Sequence, residues 1–222
     1  MKKAAGTRRQ DSLSRDRIID TAIRILDSDG ETGLTFQALA RTLATGAGAI
    51  YWHVENKNDL LTAACDAVVA RTLDAAEGGA MPGATIRALA VGLFDAMDEH
   101  PWIGSALARA GGKMPILRIL EGVGQQVRAF GVPQEAEWTT VSAILSYILG
   151  VGGQNAANAQ FAGQHGLDRS KFLEEVADEW SRLDPDEFPF ARSIALYLPQ
   201  HDDRADFVAG IDLILRGIGM PS

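Results

Sequence analysis

Residues 34–54 read Leu34-Thr35-Phe36-Gln37-Ala38-Leu39-Ala40-Arg41-Thr42-Leu43-Ala44-Thr45-Gly46-Ala47-Gly48-Ala49-Ile50-Tyr51-Trp52-His53-Val54, and this stretch decides the fold. Thr35 is a good N-cap, and Leu34 before it pairs with Leu39 at the fourth helical position as a hydrophobic staple. A short helix over 36–43 then meets a tight turn, Ala44-Thr45-Gly46, and a second short helix over 47–53. Leu39 and Leu43 face inward from the first, Ile50 answers from the second, and Ala40 sits where the two cross most closely. That spacing fits a helix-turn-helix. A generic amphipathic helical hairpin would show the same spacing, so the pattern alone leaves both readings open.

Outward from this stretch the chain reads as helix after helix. A supporting helix covers 14–29, capped by Ser14 and ended by Gly30, with Ile18, Ile19, Ala22, Ile23 and Leu26 on one face. The link Glu31-Thr32-Gly33 follows as a loop. Asn56 caps a long helix through Ala76, and a Gly-Gly-Ala-Met-Pro-Gly break at 78–83 follows it. Beyond the break, helices are predicted over 84–99, briefly after Pro101, and over 115–130, 134–162, 169–183, 190–198 and 204–218. Gly131, Pro133, Pro185, Pro189 and Pro199 punctuate them. No run of strict alternation demands a strand. The expected architecture is all-α: an arm over 1–13, a helix-turn-helix head over 14–60 and a helical body over 61–222.

Composition agrees. The 222 residues are 46% hydrophobic and 23% charged, ordinary globular values. The single cysteine, Cys65, can make neither an internal disulfide nor a Cys-based zinc site. No apolar segment follows Met1-Lys2-Lys3, so no leader is expected, and 141–153 is too short to span a bilayer. A soluble cytoplasmic protein is the expectation. The formal charge of −8 is unevenly spread: residues 1–59 carry +1 and the remainder −9. Four basic groups and no acid lie in the first ten residues. This arm, Lys2 to Arg9, is expected to be disordered without a partner and to add affinity for an anionic one.

Enzymatic chemistry finds little support. His53, His100, His165 and His201 include no pair at helical i, i+3 or i+4 spacing, so no metal pair is expected. No G-x-S-x-G, Walker or dinucleotide pattern appears, and no cofactor is implied. A helical adaptor for proteins, or a small-molecule carrier without DNA function, is the competing class.

Residues 18–61 resemble the DNA-binding domain of the TetR family of transcriptional regulators. The likeness is carried by Arg17-Ile18-Ile19-Asp20-Thr21-Ala22, Asp29-Gly30, Gly33-Leu34-Thr35 and Leu39-Ala40, and above all by Ile50-Tyr51-Trp52-His53-Val54-Glu55-Asn56-Lys57-Asn58-Asp59-Leu60-Leu61. The last segment is especially similar to the tetracycline-repressor branch. The resemblance implies a ligand-responsive regulator, a repressor, that binds a pseudo-palindromic operator as a homodimer and is released by a small molecule. It implies that Tyr51, His53 and Lys57 contact the DNA backbone. It places Gln37, Ala47, Gly48 and Ala49 at base-facing positions, and Thr35 and Thr45 complete the DNA-binding set. Ala47, Gly48 and Ala49 offer no hydrogen-bonding side chain, so base recognition leans on Gln37, Thr45, Tyr51, DNA shape or the arm. Trp52 is expected to fill a core or interdomain space. The turn carries Ala44 where many such motifs have Gly.

In the body, 138–167 contains no Asp, Glu, Lys or Arg, which predicts a helix buried all round. The pattern alone fits an intrachain core as well as a dimer interface shared with the last helix, and the resemblance implies the dimer. Gly150, Gly152 and Gly153 within it call for close helix approach or room for a ligand. The expected effector is mainly apolar. Its candidate walls are Leu89, Leu93, Phe94, Met97, Trp102 and Leu107, then Met114, Trp138, Tyr147, Gln154, Asn155 and Phe161. Gln154, Asn155 and Asn158 stand out because buried amides need partners. The resemblance does not reach the drug site of the tetracycline repressor, whose ligand-holding histidines fall on Leu73 and Leu107 and whose polar anchor falls near Leu89. Tetracycline is therefore rejected as effector.

Overall fold

The computed structural model describes residues 13–76, 81–166 and 168–218. The arm over Lys2 to Arg9 lies outside these residues. Every regular element described is helical, with one 3-10 turn at Leu198–Gln200.

Three helices make the head. α1 (Arg15–Gly33) starts at Ser14, whose hydroxyl accepts from the Arg17 amide, and breaks at Gly30, where φ is 65°. α2 (Phe36–Thr42) starts at Thr35, whose hydroxyl accepts from the Ala38 amide at 3.0 Å. Leu34 and Leu39, the two ends of the predicted staple, are both fully buried. α3 (Ala47–Ile50) is a single turn, shorter than the 47–53 helix predicted; residues 51–53 continue as turn, with His53 N bonded to Ile50 O at 2.9 Å. Ile18, Ala22, Leu26, Leu39 and Ile50 close the core between the three. Ala44 sits at φ 52°, the one non-glycine residue at positive φ among the described residues. The turn bends through the left-handed region there, which explains why glycine is at home at this position.

α4 (Lys57–Ala76) runs from head to body. Its apolar face, including Leu60, Leu61, Ala64 and Val68, is buried against both. The body adds α5 (Pro82–Glu99), α6 (Trp102–Ala108), α7 (Met114–Ala129), α8 (Gln134–His165), α9 (Arg169–Ser181), α10 (Pro189–Ala195) and α11 (Asp203–Ile218). Its core is built from Ile86, Leu93, Met97, Ile103, Ile119, Val123, Ile144, Ile148 and Phe207. Phe207 stacks between Phe94, centroids 4.5 Å apart, and Tyr147, 5.4 Å apart.

The 32-residue α8 departs from the reading of a helix buried on all sides. Thr139, Ala143, Ser146, Gly150, Gln154, Ala157 and Phe161 form an exposed, uncharged stripe along it, and Trp138 is 69% exposed. Lack of charge here marks a face left open by the single chain. Close approach accounts for two of its glycines. A Cβ on Gly152 would lie 2.2 Å from Met97 Cε, and one on Gly104 of α6 would lie 3.2 Å from Gly153 Cα. No helix among the described residues is long and apolar enough to cross a membrane.

Candidate DNA-binding face and effector cleft

The head presents its second and third helices as one surface. Tyr51 stacks on Phe36, centroids 4.4 Å apart and planes 8° from parallel, which holds the ring at the edge of α2 while leaving it more than half exposed. Thr35, Gln37 and Gly48 are exposed, whereas Thr45, Ala47, Ala49 and His53 are half-buried. Nothing lies within 4 Å of where a Gly48 Cβ would sit. Thr35 keeps its hydroxyl proton for an outside acceptor, since its oxygen is the acceptor in the cap.

Trp52 overturns the expectation of a filler: it is 90% exposed, the most open large apolar side chain among the described residues. Its neighbour Ile50 supplies the core contact instead. An indole standing in water beside Tyr51 belongs to the outer face, and the single turn of α3 is too short for periodicity to have revealed this.

Lys57 opens α4, with Asn56 Oδ1 capping the Asp59 amide at 2.9 Å. Its ammonium donates to the Glu31 carbonyl. An ammonium carries three donors, so this bond leaves two for another acceptor. The amides of the first turn of α4 point the same way, giving the position a positive end.

The body residues nominated as ligand walls do not converge on one cavity. Leu89 and Met114 line a cleft of about 560 Å³ between α4, α5 and α7, together with Leu73, Leu117 and Leu120 and the polar Asp74, Arg118, Glu121, Gln125 and Gln126. Arg118 is held there by Asp66, at 2.6 and 3.2 Å. Phe94 and Asn155 border a polar cleft at the start of α11, and Tyr147 and Gln154 border its neighbour. Trp102 lines a cleft between α1, α6 and α8. Leu93, Met97 and Leu107 are fully packed core and line none of these. Trp138 and Phe161 stand exposed on α8, away from them.

The amides are also corrected. Asn155 donates to Asp98 at 3.0 Å and Gln154 to Asn158 at 3.0 Å, both as surface pairs rather than as buried amides. Leu73, Leu117 and Leu120, missed in the sequence, complete the α4/α5/α7 cleft. Cys65 is inert in the core: burial, with the Asp66 charge adding to it, pushes its thiol up to about 12.

Comparison with known proteins sharpens the picture. Residues 18–64 match the family described as "Bacterial regulatory proteins, tetR family". An HTH-type transcriptional regulator of Saccharopolyspora erythraea is 36% identical over 96 residues, 43% of this chain and 40% of that protein. The Escherichia coli tetracycline repressor protein class E is 41% identical over 59 residues, 27% of this chain and 28% of that protein. The chain thus matches well under half the length of these two. The solved transcriptional regulator SCO7222, a TetR from Streptomyces coelicolor, is 48% identical, with a TM-score of 0.83 over 93% of this chain and 98% of that one. These relatives are transcriptional regulators, not enzymes, and in SCO7222 the likeness covers 93% of the chain, head and helical body together. The chain belongs to the TetR family of transcriptional regulators.

Proposed function

We propose that this regulator is a repressor that binds a pseudo-palindromic operator as a homodimer in the cytoplasm and is released by a mainly apolar small molecule. The observation that carries the reading is the outer face of the head, where Trp52, Tyr51 and Gln37 stand exposed beside the positive start of α4. Large aromatic side chains held open to water by a rigid helix pair suit a partner that buries them. Thr35, Tyr51, His53 and Lys57 take phosphates; Gln37 and Thr45 face base edges. Ala47, Gly48 and Ala49 allow close approach to thymine methyls. The arm over 1–13 adds charge, the head spans 14–60 and the body spans 61–222.

The exposed stripe of α8, with Leu213 exposed on the adjoining α11, supports dimerisation by a four-helix contact. Two heads then address two half-sites. The α4/α5/α7 cleft is the effector site. Its volume suits a small molecule, and its leucines and Met114 with a few polar groups at the rim suit an apolar one. α4 is both a wall of that cleft and the carrier of Lys57, so a ligand that displaces it moves the head. A coupling of about 1–3 kcal/mol changes DNA affinity about 5–150-fold.

The test is selection of duplexes from a random-sequence pool with the full-length protein, followed by a salt titration. A pseudo-palindromic consensus is expected, and Lys57→Ala should flatten the salt slope by about one unit while weakening all duplexes alike. Recovery of no consensus sequence rejects the proposed function; an unchanged slope removes Lys57 from the phosphate contacts.

A further inference from the structure

Two acids near the end of α1 bind the head to the body. Asp27 Oδ1 accepts from His100 Nδ1 at 2.7 Å and from Trp102 Nε1 at 2.8 Å. Past the break at Gly30, Glu31 Oε1 accepts from Ser105 Oγ at 2.9 Å and from the Arg109 guanidinium. The Glu31 carbonyl takes the Lys57 ammonium. Trp102, Ser105 and Arg109 lie at i, i+3 and i+7, so one face of α6 and its C-cap supplies three of the donors.

The α6 helix is equally constrained on α8. A Cβ on Gly104 would meet Gly153 Cα at 3.2 Å and Ala156 Cβ at 3.4 Å, a backbone-to-backbone approach with no long side chain to give way. α8 carries the uncharged stripe assigned above to the dimer. A path from the dimer face to the head therefore runs α8, α6, α1, beside the one through α4. Burial raises the Glu31 pKa, but the Arg109 and Ser105 hydrogen bonds and the Arg109 and Lys57 charges outweigh it and hold the carboxyl below its ordinary range. Glu31 is thus an anion wherever the head meets DNA.

We propose that Asp27 and Glu31 are positioning residues: by clamping α1 onto α6 they fix the angle of each head on its body and so the separation of the two recognition helices in the dimer. This rests on the dimer reading above. Packing of α1 on α4, with the Arg71–Asp20 pair across it, remains without the clamp, so the unclamped protein keeps its fold but its heads swing.

The experiment places one nitroxide per protomer, through Gln37→Cys in the full chain, and reads the head-to-head distance by pulsed dipolar spectroscopy without DNA. Cys65, buried and protonated, takes no label. A single narrow distribution is expected for the otherwise unaltered protein, and a broad one when Asp27→Asn and Glu31→Gln are combined. With Asp27 retained, Glu31→Arg alone should also broaden the distribution, and adding Arg109→Glu should restore the narrow one. An unchanged width in the double variant overturns the clamp while leaving the dimer. A broadening that the reversed pair does not cure overturns it too, because the loss is then not one of pairing. Absence of any head-to-head distance shows that the chain is no dimer, and the proposal falls with that reading.

Discussion

Ile50 and Trp52 are two residues apart and should fail in opposite ways. Ile50 is fully buried, so Ile50→Ala opens a cavity in the head and should cost about 2–5 kcal/mol of stability. Trp52 is 90% exposed, so Trp52→Ala removes almost no intramolecular contact, and its effect on stability should stay within about 0.5 kcal/mol. Binding should reverse the order of damage. An indole offers about 150–250 Å². Burying some 120 Å² of it against sugar and phosphate gains about 3 kcal/mol at ~25 cal/mol per Å². Immobilising the side chain and imperfectly pairing the phosphates it dries takes back about 1–1.5 kcal/mol.

The remainder, roughly 1.5–2 kcal/mol per head, corresponds to about a 10–30-fold loss. A dimer loses it twice, so the affinity of Trp52→Ala for a two-half-site duplex should fall by about two to three orders of magnitude. Fluorescence anisotropy on a selected duplex measures the affinity, and thermal unfolding measures the stability. A Trp52→Ala protein that binds within threefold of the parent places the indole outside the interface. One that melts as low as Ile50→Ala shows that the ring is packed after all. Either result refutes the reasoning.

Three further outcomes follow from the same geometry. Ala44→Gly relieves a left-handed alanine worth about 1–2 kcal/mol but loosens the unfolded chain by about 0.4–1 kcal/mol, so the melting temperature should rise slightly; a fall would show that the turn is not strained. Glu31 has its folded pKa below the ordinary 4.5, so its stabilisation is complete above that value and disappears as pH falls through the folded pKa. The melting-temperature gap between the parent and Glu31→Gln should therefore hold at neutral pH and close in acid, and a gap that persists in strong acid contradicts the pairing. Leu213→Glu puts a charge on the exposed apolar part of α11 and should shift sedimentation at micromolar concentration from dimer to monomer; an unmoved dimer locates the interface elsewhere.

The head was legible in the sequence because its signals are local. Ser14, Leu34, Thr35 and Leu39 each act within one helical turn and do in the structure what their neighbours in sequence imply, whereas Gly30 breaks α1 but the chain turns helical again through Gly33 in place of the expected loop. The long body helices were legible for the same reason, with ends marked by proline and glycine. Trp52 was not, since a tryptophan on average is mostly buried and a one-turn helix has no period to contradict the average. The absence of charge in α8 was a true signal with two meanings, burial within the chain or a face awaiting a copy, and only the packing of α5, α6 and α7 on one side of it separates them. Its glycines were open to two uses in the same way, until Met97 and Gly104 were seen pressed against Gly152 and Gly153.

What sequence could not reach were partners far apart along the chain. In sequence Asp27 falls off the apolar face of α1 and Glu31 in a loop, and nothing at helical spacing links either to His100, Trp102, Ser105 or Arg109. They meet across 73 to 78 positions. The same distance problem scattered the pocket residues. Leu89 and Met114 share a cleft only because α5 and α7 both lean on α4, and Leu73 joins them from α4 itself. An apolar residue announces that it will be buried, not what it will be buried with. The recognition surface depends on how one short hairpin folds, so it is written locally. The placement of the head on its body depends on pairs 75 and 78 positions apart, a carboxylate with an indole and a carboxylate with a guanidinium, that gain meaning only once they touch.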